Sequence, residues 1–326
     1  MKVLLALCTV GYLVTVSASN FSSVEKQKIV QGYTASHGQF PFQAHMKRRG
    51  WSKSWFPSFL VGWIPTWFAS DFFCGASIIN QRYLLTAAHC IFENVNLNEL
   101  RQRIFICLFV FSYSCRENSE QWQQTDVVVG TNLVGQANAT IYQVDRFIIH
   151  GDFISLDTSR WDRGINDIAL VRVTKDIVYN EYVQPIRLAA KDHKLHEGSI
   201  VTITGWGKLS NTYEGSAKSL QMISRKVSNF RECKKQWMYM HEIPLDDGIL
   251  CTVDILPTDQ GGICKGDSGS PLVDENGIQV GIATISDGCG LTHIVPEGYT
   301  KVSHYADWIE ACLKRDEGRN LILVAN

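Results

Sequence analysis

The segment DQGGICKGDSGSP, residues 259–271, sets Ser268 between Asp267 and Gly269, with four glycines and a cysteine in thirteen residues. Glycine is entropically costly in a folded segment and serves where the backbone needs unusual torsions or close approach. A loop holding a reactive group has that need, and so does a plain surface turn. A serine that attacks an acyl carbon requires a base for its proton, an acid that orients the base, and donors facing the oxyanion. Such parts come from distant segments. LLTAAHC, residues 84–90, supplies His89 at the end of an apolar run and just before Cys90. NDIALV, residues 166–171, supplies Asp167 at the start of another. Alone, a histidine is usually structural or solvated, and an Asp before a strand is usually a turn residue. Together, in the order His, Asp, Ser, the three are far more specific. No CxxC or HExxH pattern is present, so a zinc site has little support.

The elements that must position these residues read as strands. ASIINQRYLLTA, DVVVG, IYQVDRFIIH, DIALVRV, SIVTITGWG, QVGIATIS and EGYTKVS are short, rich in β-branched residues and loosely alternating. Gly, Asn, Asp and Pro punctuate them at the intervals of an all-β sandwich or barrel. One helix is expected near the end, where HYADWIEACLKR puts Tyr305, Trp308, Ile309 and Cys312 on one face. The chain has no internal repeat and no low-complexity tract.

The 326 residues are 45% hydrophobic and 19% charged, with a formal net charge of −1, so a sizeable core is available. No basic excess points to nucleic acid. MKVLLALCTVGYLVTVSAS has one Lys, an apolar run from Val3 to Val16 and small residues after it, the pattern of a secretory signal peptide over 1–18. A spanning helix needs about 20 apolar residues. SFLVGWIPTWF is broken by Pro65 and IFICLFVFS is too short, so a soluble extracellular protein is expected. Of ten cysteines Cys8 leaves with the signal, and in an oxidising compartment most of the remainder should pair.

LLTAAHC, NDIALV, GDSGSP, KIVQGYTASHGQFPFQ, TGWGKLS and EGYTKVSHYADWI resemble stretches of the trypsin/chymotrypsin-like serine proteases, over nearly all of Ile29 to Ile309. The resemblance implies two six-stranded antiparallel Greek-key barrels with a C-terminal helix, in a protease domain over 29–326. It implies Ser268 as nucleophile, His89 as general base and then acid, Asp167 as orienting anion, and the amides of Gly266 and Ser268 as oxyanion hole. It pairs Cys74 with Cys90, Cys233 with Cys251 and Cys264 with Cys289. Each such bridge contributes about 3 kcal/mol on a chain-entropy account. Cys107, Cys115 and Cys312 have no partner in the family pattern. Ser270 stands where the family usually has a second Gly.

KIVQG resembles the family's activation site. A cut after Lys28, by a trypsin-like activator, would free the Ile29 ammonium to pair with Asp267 and shape the oxyanion hole. Residues 19–28 would be the propeptide. Gln31 stands where Gly is usual. The partners implied are protein or peptide substrates, the activating protease and protein inhibitors of proteases, acting on a monomer. The loop from Gly130 to Tyr142 lacks the paired acids of a calcium loop, so no cofactor or metal is expected. Asn138, in NAT, is a glycosylation sequon.

The same resemblance puts Gly262 at the base of the specificity pocket, where an Asp selects Lys or Arg in the family, and Ser286 and Glu297 on its walls where glycines are common. This predicts a chymotrypsin-like preference for large apolar residues. A buried carboxylate at Glu297 would be relieved by a proton, by water, or by a basic substrate side chain, which adds secondary cleavage after Lys or Arg. A solvated surface Glu is the alternative. The chain is also long for this fold, with apolar excess near 50–72 and 93–125. Exosites, segments packed on the body, and translated intron are three readings of that excess. For function, the alternative to an active endopeptidase is a catalytically impaired homologue serving as a binding or cofactor module.

Overall fold

The computed structural model describes residues 32–49, 72–92, 115–118, 125–137, 139–155, 164–210, 215–256, 261–290 and 294–324. The expected signal peptide, Lys28, Ile29, Asn138, Cys107 and most of both apolar insertions lie outside these residues.

The first half of the chain holds β1 (Tyr33–Thr34), β2 (Gln43–Arg48), β3 (Phe72–Ile78), β4 (Tyr83–Thr86), a one-turn helix α1 (His89–Phe92), β5 (Cys115–Asn118), β6 (Thr125–Val129), β7 (Thr140–His150), β8 (Ile154–Ser155), β9 (Gly164–Ile165) and β10 (Ala169–Val173). The second holds β11 (Arg187–Leu188), β12 (Ile200–Gly205), β13 (Gln221–Val227), helix α2 (Phe230–His241), β14 (Ile249–Val253), β15 (Pro271–Asp274), β16 (Ile278–Ile285) and β17 (Glu297–Lys301). A 3-10 turn (Val302–Tyr305) then leads into helix α3 (Ala306–Val324).

Two rings close. One runs β10-β4-β3-β2-β6-β7 and returns from β7 to β10. The other runs β13-β12-β15-β16-β17-β14 and returns from β14 to β13. Every pairing around both rings is antiparallel. These are two six-stranded barrels, and closure removes the exposed edges that an open sheet would present. β1 and β5 extend the rings at β13 and β7, and β11 lies parallel beside β16. The alternating sequence explains the strands: in β13, Gln221, Ile223, Arg225 and Val227 are buried while Met222, Ser224 and Lys226 are half-buried.

The C-terminal helix seats on the first barrel. Tyr305, Trp308, Ile309 and Cys312 are all buried, the face that the sequence periodicity predicts. Four residues past Cys312 the same face carries Asp316, 3% exposed, whose carboxylate pairs with Arg146 at 2.9 Å and Arg172 at 3.2 Å and accepts from Tyr83. Cys312 is bonded to Cys115 across 197 residues of sequence. On a chain-entropy account a loop of that size contributes about 5 kcal/mol. Cys115 begins β5, which pairs with β7 from Cys115 opposite His150 to Asn118 opposite Phe147. This piece of the second insertion therefore packs on the body of the protein.

Candidate active site

Strand register brings His89 and Asp167 to one end of the first barrel. Thr86, the last residue of β4, lies opposite Ala169, the first of β10. His89 follows that pair by three residues and Asp167 precedes it by two, so both emerge at the same rim. Asp167 Oδ2 lies 2.6 Å from His89 Nδ1, and Oδ1 accepts the His89 backbone N–H at 2.8 Å. A carboxylate only accepts, so Nδ1 donates and Nε2 keeps the lone pair. The two residues are 4% and 1% exposed, which shields the pair from water.

Asp167 is held from several sides. Thr300 Oγ1, on β17 of the second barrel, donates to its carbonyl at 2.8 Å. Asn166 before it has φ of 55°, a left-handed conformation that Asn tolerates better than most residues. Its Oδ1 accepts from the Tyr305 hydroxyl at 3.1 Å, and its Nδ2 donates to the Asp152 carbonyl at 3.0 Å. The Cys74–Cys90 bridge sits next to His89. Its two sulfurs lie close enough to the imidazole to resemble a metal cluster, but they are bonded to each other.

The loop around Ser268 requires its glycines. Gly266 and Gly269 have φ of 97° and 79°. A Cβ on Gly269 would stand 2.2 Å from Thr86 Oγ1 and 2.4 Å from the Gly75 carbonyl. The Ser268 loop thus lies directly against the end of β4, three residues from His89. Gly75 N–H donates to the Ser268 carbonyl at 2.8 Å, and Gly269 N–H to the Ala283 carbonyl at 2.9 Å. The amides of Gly266 and Ser268 donate to no backbone carbonyl among the described residues. Ser268 itself is half-buried. Ser270 is fully buried, and a Cβ on Gly75 would lie 2.1 Å from its hydroxyl oxygen, so Gly75 makes room for the larger residue.

Asp267 points inward and is fully buried. Its Oδ1 accepts from Gly207 N–H at 2.8 Å and its Oδ2 from Cys264 N–H at 2.9 Å. Burial raises its pKa to about 7, although the two amides pull the other way. Cβ atoms on Gly205 or Gly207 would meet the carboxylate at 2.1 and 2.3 Å, which explains both glycines of TGWGKLS.

Glu297 opens β17 and is 1% exposed, so it is not a solvated surface residue. Its Oε1 accepts from Ile263 N–H at 2.5 Å, beside the buried Gly262, and Oε2 accepts from the Tyr299 hydroxyl at 2.9 Å. Oε2 also lies 3.4 Å from Nε of Arg225, whose side chain is wholly buried. Arg225 Nη1 pairs with Asp254 and donates to the Gly261 carbonyl at 3.0 Å. Ser286, half-buried, follows β16, which pairs with β17. Cys264 is bonded to Cys289, tying the loop before Ser268 to the segment after Ser286, and Cys233 is bonded to Cys251 between α2 and β14.

A profile of the family described as Trypsin matches residues 29–104 and 113–309, more than half of the chain. This chain belongs to the trypsin family. Chymotrypsin-2 of Vespa crabro is 30% identical over 285 residues, covering 86% of this chain and 98% of the relative. The chymotrypsin-like protease VLCTLP of Macrovipera lebetinus is 28% identical over 246 residues, covering 75% and 79%. Among solved structures, mouse neuropsin superposes with a TM-score of 0.62 at 22% identity, covering 87% of this chain and 99% of that one. Human heparin binding protein gives 0.60 at 21%, covering 87% and 96%. The fold is the trypsin-family fold, and the chain is a serine endopeptidase of that family. The break in the profile match, residues 105–112, falls inside the second apolar insertion.

Within the trypsin-family frame, several functional contacts have no motif pointing to them. Thr300, Gly75 and the Cys115–Cys312 bridge depend on partners far away in sequence. Asn166 has a local signal, since Asn tolerates the left-handed turn ahead of Asp167. Arg225 has one too. Alternation along QMISRKV puts it on the buried face with Ile223 and Val227, where a guanidinium requires partners.

Proposed function

We propose that the chain is a secreted zymogen that hydrolyses peptide bonds with Ser268, His89 and Asp167, with a chymotrypsin-like preference for large apolar residues before the cut. The observation that carries this reading is the His89–Asp167 pair set against a loop whose Gly266 and Ser268 amides have no backbone partner among the described residues. His89 Nε2 takes the Ser268 proton as Oγ bonds to the substrate carbonyl carbon. The oxyanion is held by the two amides. His89 then gives the proton to the leaving amine, and water completes hydrolysis by the same steps in reverse.

A cut after Lys28 would free the Ile29 ammonium to answer Asp267, whose carboxylate has only amide donors around it among the described residues. Uncut protein would carry an unanswered buried carboxylate under the oxyanion loop. The activator would cleave after Lys as trypsin does. Protein inhibitors would occupy the same cleft as substrates, Asn138 would carry a glycan, and the protein would act outside the cell as a monomer. Among the described residues no helix is long and apolar enough to cross a membrane.

The test is peptide hydrolysis by trypsin-cut protein. Ser268→Ala should lower kcat by a factor on the order of 10⁶. In the wild type kcat/KM should rise with pH as His89 loses its proton. Undiminished turnover in Ser268→Ala would reject the mechanism.

A further inference from the structure

Arg225 is the feature of the second barrel that the peptidase mechanism does not use. Its guanidinium is wholly buried in β13, with Nη1 paired to Asp254 and donating to the Gly261 carbonyl, Nε 3.4 Å from Glu297, and Nη2 without a hydrogen-bond partner among the described residues. Burial opposes its charge, but Glu297 and Asp254 outweigh that, so it stays a cation. Gly261, Gly262 and Ile263 form the short stretch that the cluster supports. Gly261 receives the guanidinium and Ile263 binds the Glu297 carboxylate, and Ser268 follows five residues after Ile263. The carboxylate at the base of this loop is therefore already in contact with a cation of the protein's own.

We infer that Arg225 is a specificity-determining residue, an internal counter-ion that occupies Glu297 so that the pocket beside Gly262 receives large neutral side chains and disfavours Lys and Arg. The inference rests on the peptidase reading and on Glu297 lining the pocket. A substrate ammonium or guanidinium entering here would meet a carboxylate with both oxygens engaged and a like charge behind it. Secondary cleavage after Lys or Arg presumes a carboxylate without such a partner. Removing the cation, together with Asp254 that it answers, would leave Glu297 without its counter-ion and open to a basic side chain.

The experiment compares cut wild type with Arg225→Met/Asp254→Asn. Substrates differ only in the residue before the cut, and p-aminobenzamidine, a small fluorescent cation, reports binding directly. The double variant should raise the ratio of basic to aromatic cleavage by about 10- to 100-fold, the reach of one charge-assisted hydrogen bond. It should also bind p-aminobenzamidine where wild type does not. Adding Glu297→Gln should abolish both gains. A folded double variant with an unchanged ratio and no probe binding overturns the proposal, as do gains that survive Glu297→Gln. A merely structural ion pair would change thermal stability and leave the ratio alone. Should the double variant fail to fold, wild type decides: tight p-aminobenzamidine binding, or cleavage after Lys and Arg equal to that after Phe, refutes the role of Arg225. Protein that cleaves no peptide contradicts the peptidase reading, and probe binding then still reports on Arg225.

Discussion

Asp267 and Glu297 are both buried carboxylates of the second barrel, and both have pKa values raised by burial. Their surroundings differ. Among the described residues Asp267 is met by the amides of Gly207 and Cys264 alone, in a niche cleared by glycines at 205 and 207. Glu297 is met by an amide, a phenol and the buried guanidinium of Arg225. Among the described residues one carboxylate lacks a side-chain cation and the other has one built in. A charge left without its partner can respond to an arriving cation, which suits a switch. A charge already answered is fixed, which suits a pocket whose polarity must not change. On the proposed reading the same burial cost would serve two uses, and the position of one arginine would separate them.

Breaking the first half of that comparison should have the largest effect. Asp267→Asn cannot hold an ammonium, so the oxyanion donors should remain misplaced after the cut. Its kcat/KM should fall by about 10²- to 10³-fold, the loss expected for one oxyanion donor. Glu297→Gln should leave the ratio of cut to uncut activity as it is in wild type. Equal losses of that ratio in both variants would erase the distinction.

The pH dependence of stability sharpens it next. In uncut protein the Asp267 carboxyl titrates near 7, against an ordinary value of 3.8. The fold therefore favours its neutral form. That contribution is full below about pH 4 and is lost as pH rises through about 7, on the order of 4 kcal/mol by linkage. In cut protein the ammonium keeps the carboxylate charged and the loss should shrink. Urea unfolding of cut and uncut Ser268→Ala between pH 4 and 8 measures the difference, and parallel curves would contradict it.

The smallest effect concerns a neutral buried group beside the same niche. Among the described residues Ser270 Oγ has no hydrogen-bond partner, and it would lie 3.2 Å from a Cβ on Gly205. Ser270→Gly removes an unsatisfied hydroxyl but adds backbone freedom to the unfolded chain, so thermal unfolding should shift by no more than about 1 kcal/mol. A larger loss would show that the hydroxyl supports Asp267.

Local patterns made much of this legible. Alternation and turn residues indicate the strands, and the spacing of Tyr305, Trp308, Ile309 and Cys312 gives the C-terminal helix. The three segments that carry His89, Asp167 and Ser268 are short and distinctive, because each must set a side chain at a strand end or in a glycine-dependent turn. Contacts made across the fold were not legible. Cys115 and Cys312 are 197 residues apart, and only the docking of α3 against β5 and β7 brings them together. Glu297 could be proposed as a pocket residue from its own segment, but its partner Arg225 lies on β13, more than 70 residues earlier. A carboxylate in an apolar pocket predicts that a counter-charge is needed and does not say which strand supplies it.

The central claim is that Ser268 becomes a nucleophile when the chain is cut after Lys28. Labelling with a fluorophosphonate, which reacts with an activated serine, tests it most directly when the modified residue is located by peptide mass. The account predicts no label on uncut protein, label on Ser268 after limited trypsin treatment exposes Ile29, and none on cut protein carrying His89→Ala. Folded, cut wild-type protein that leaves Ser268 unlabelled would contradict the account and favour a binding module.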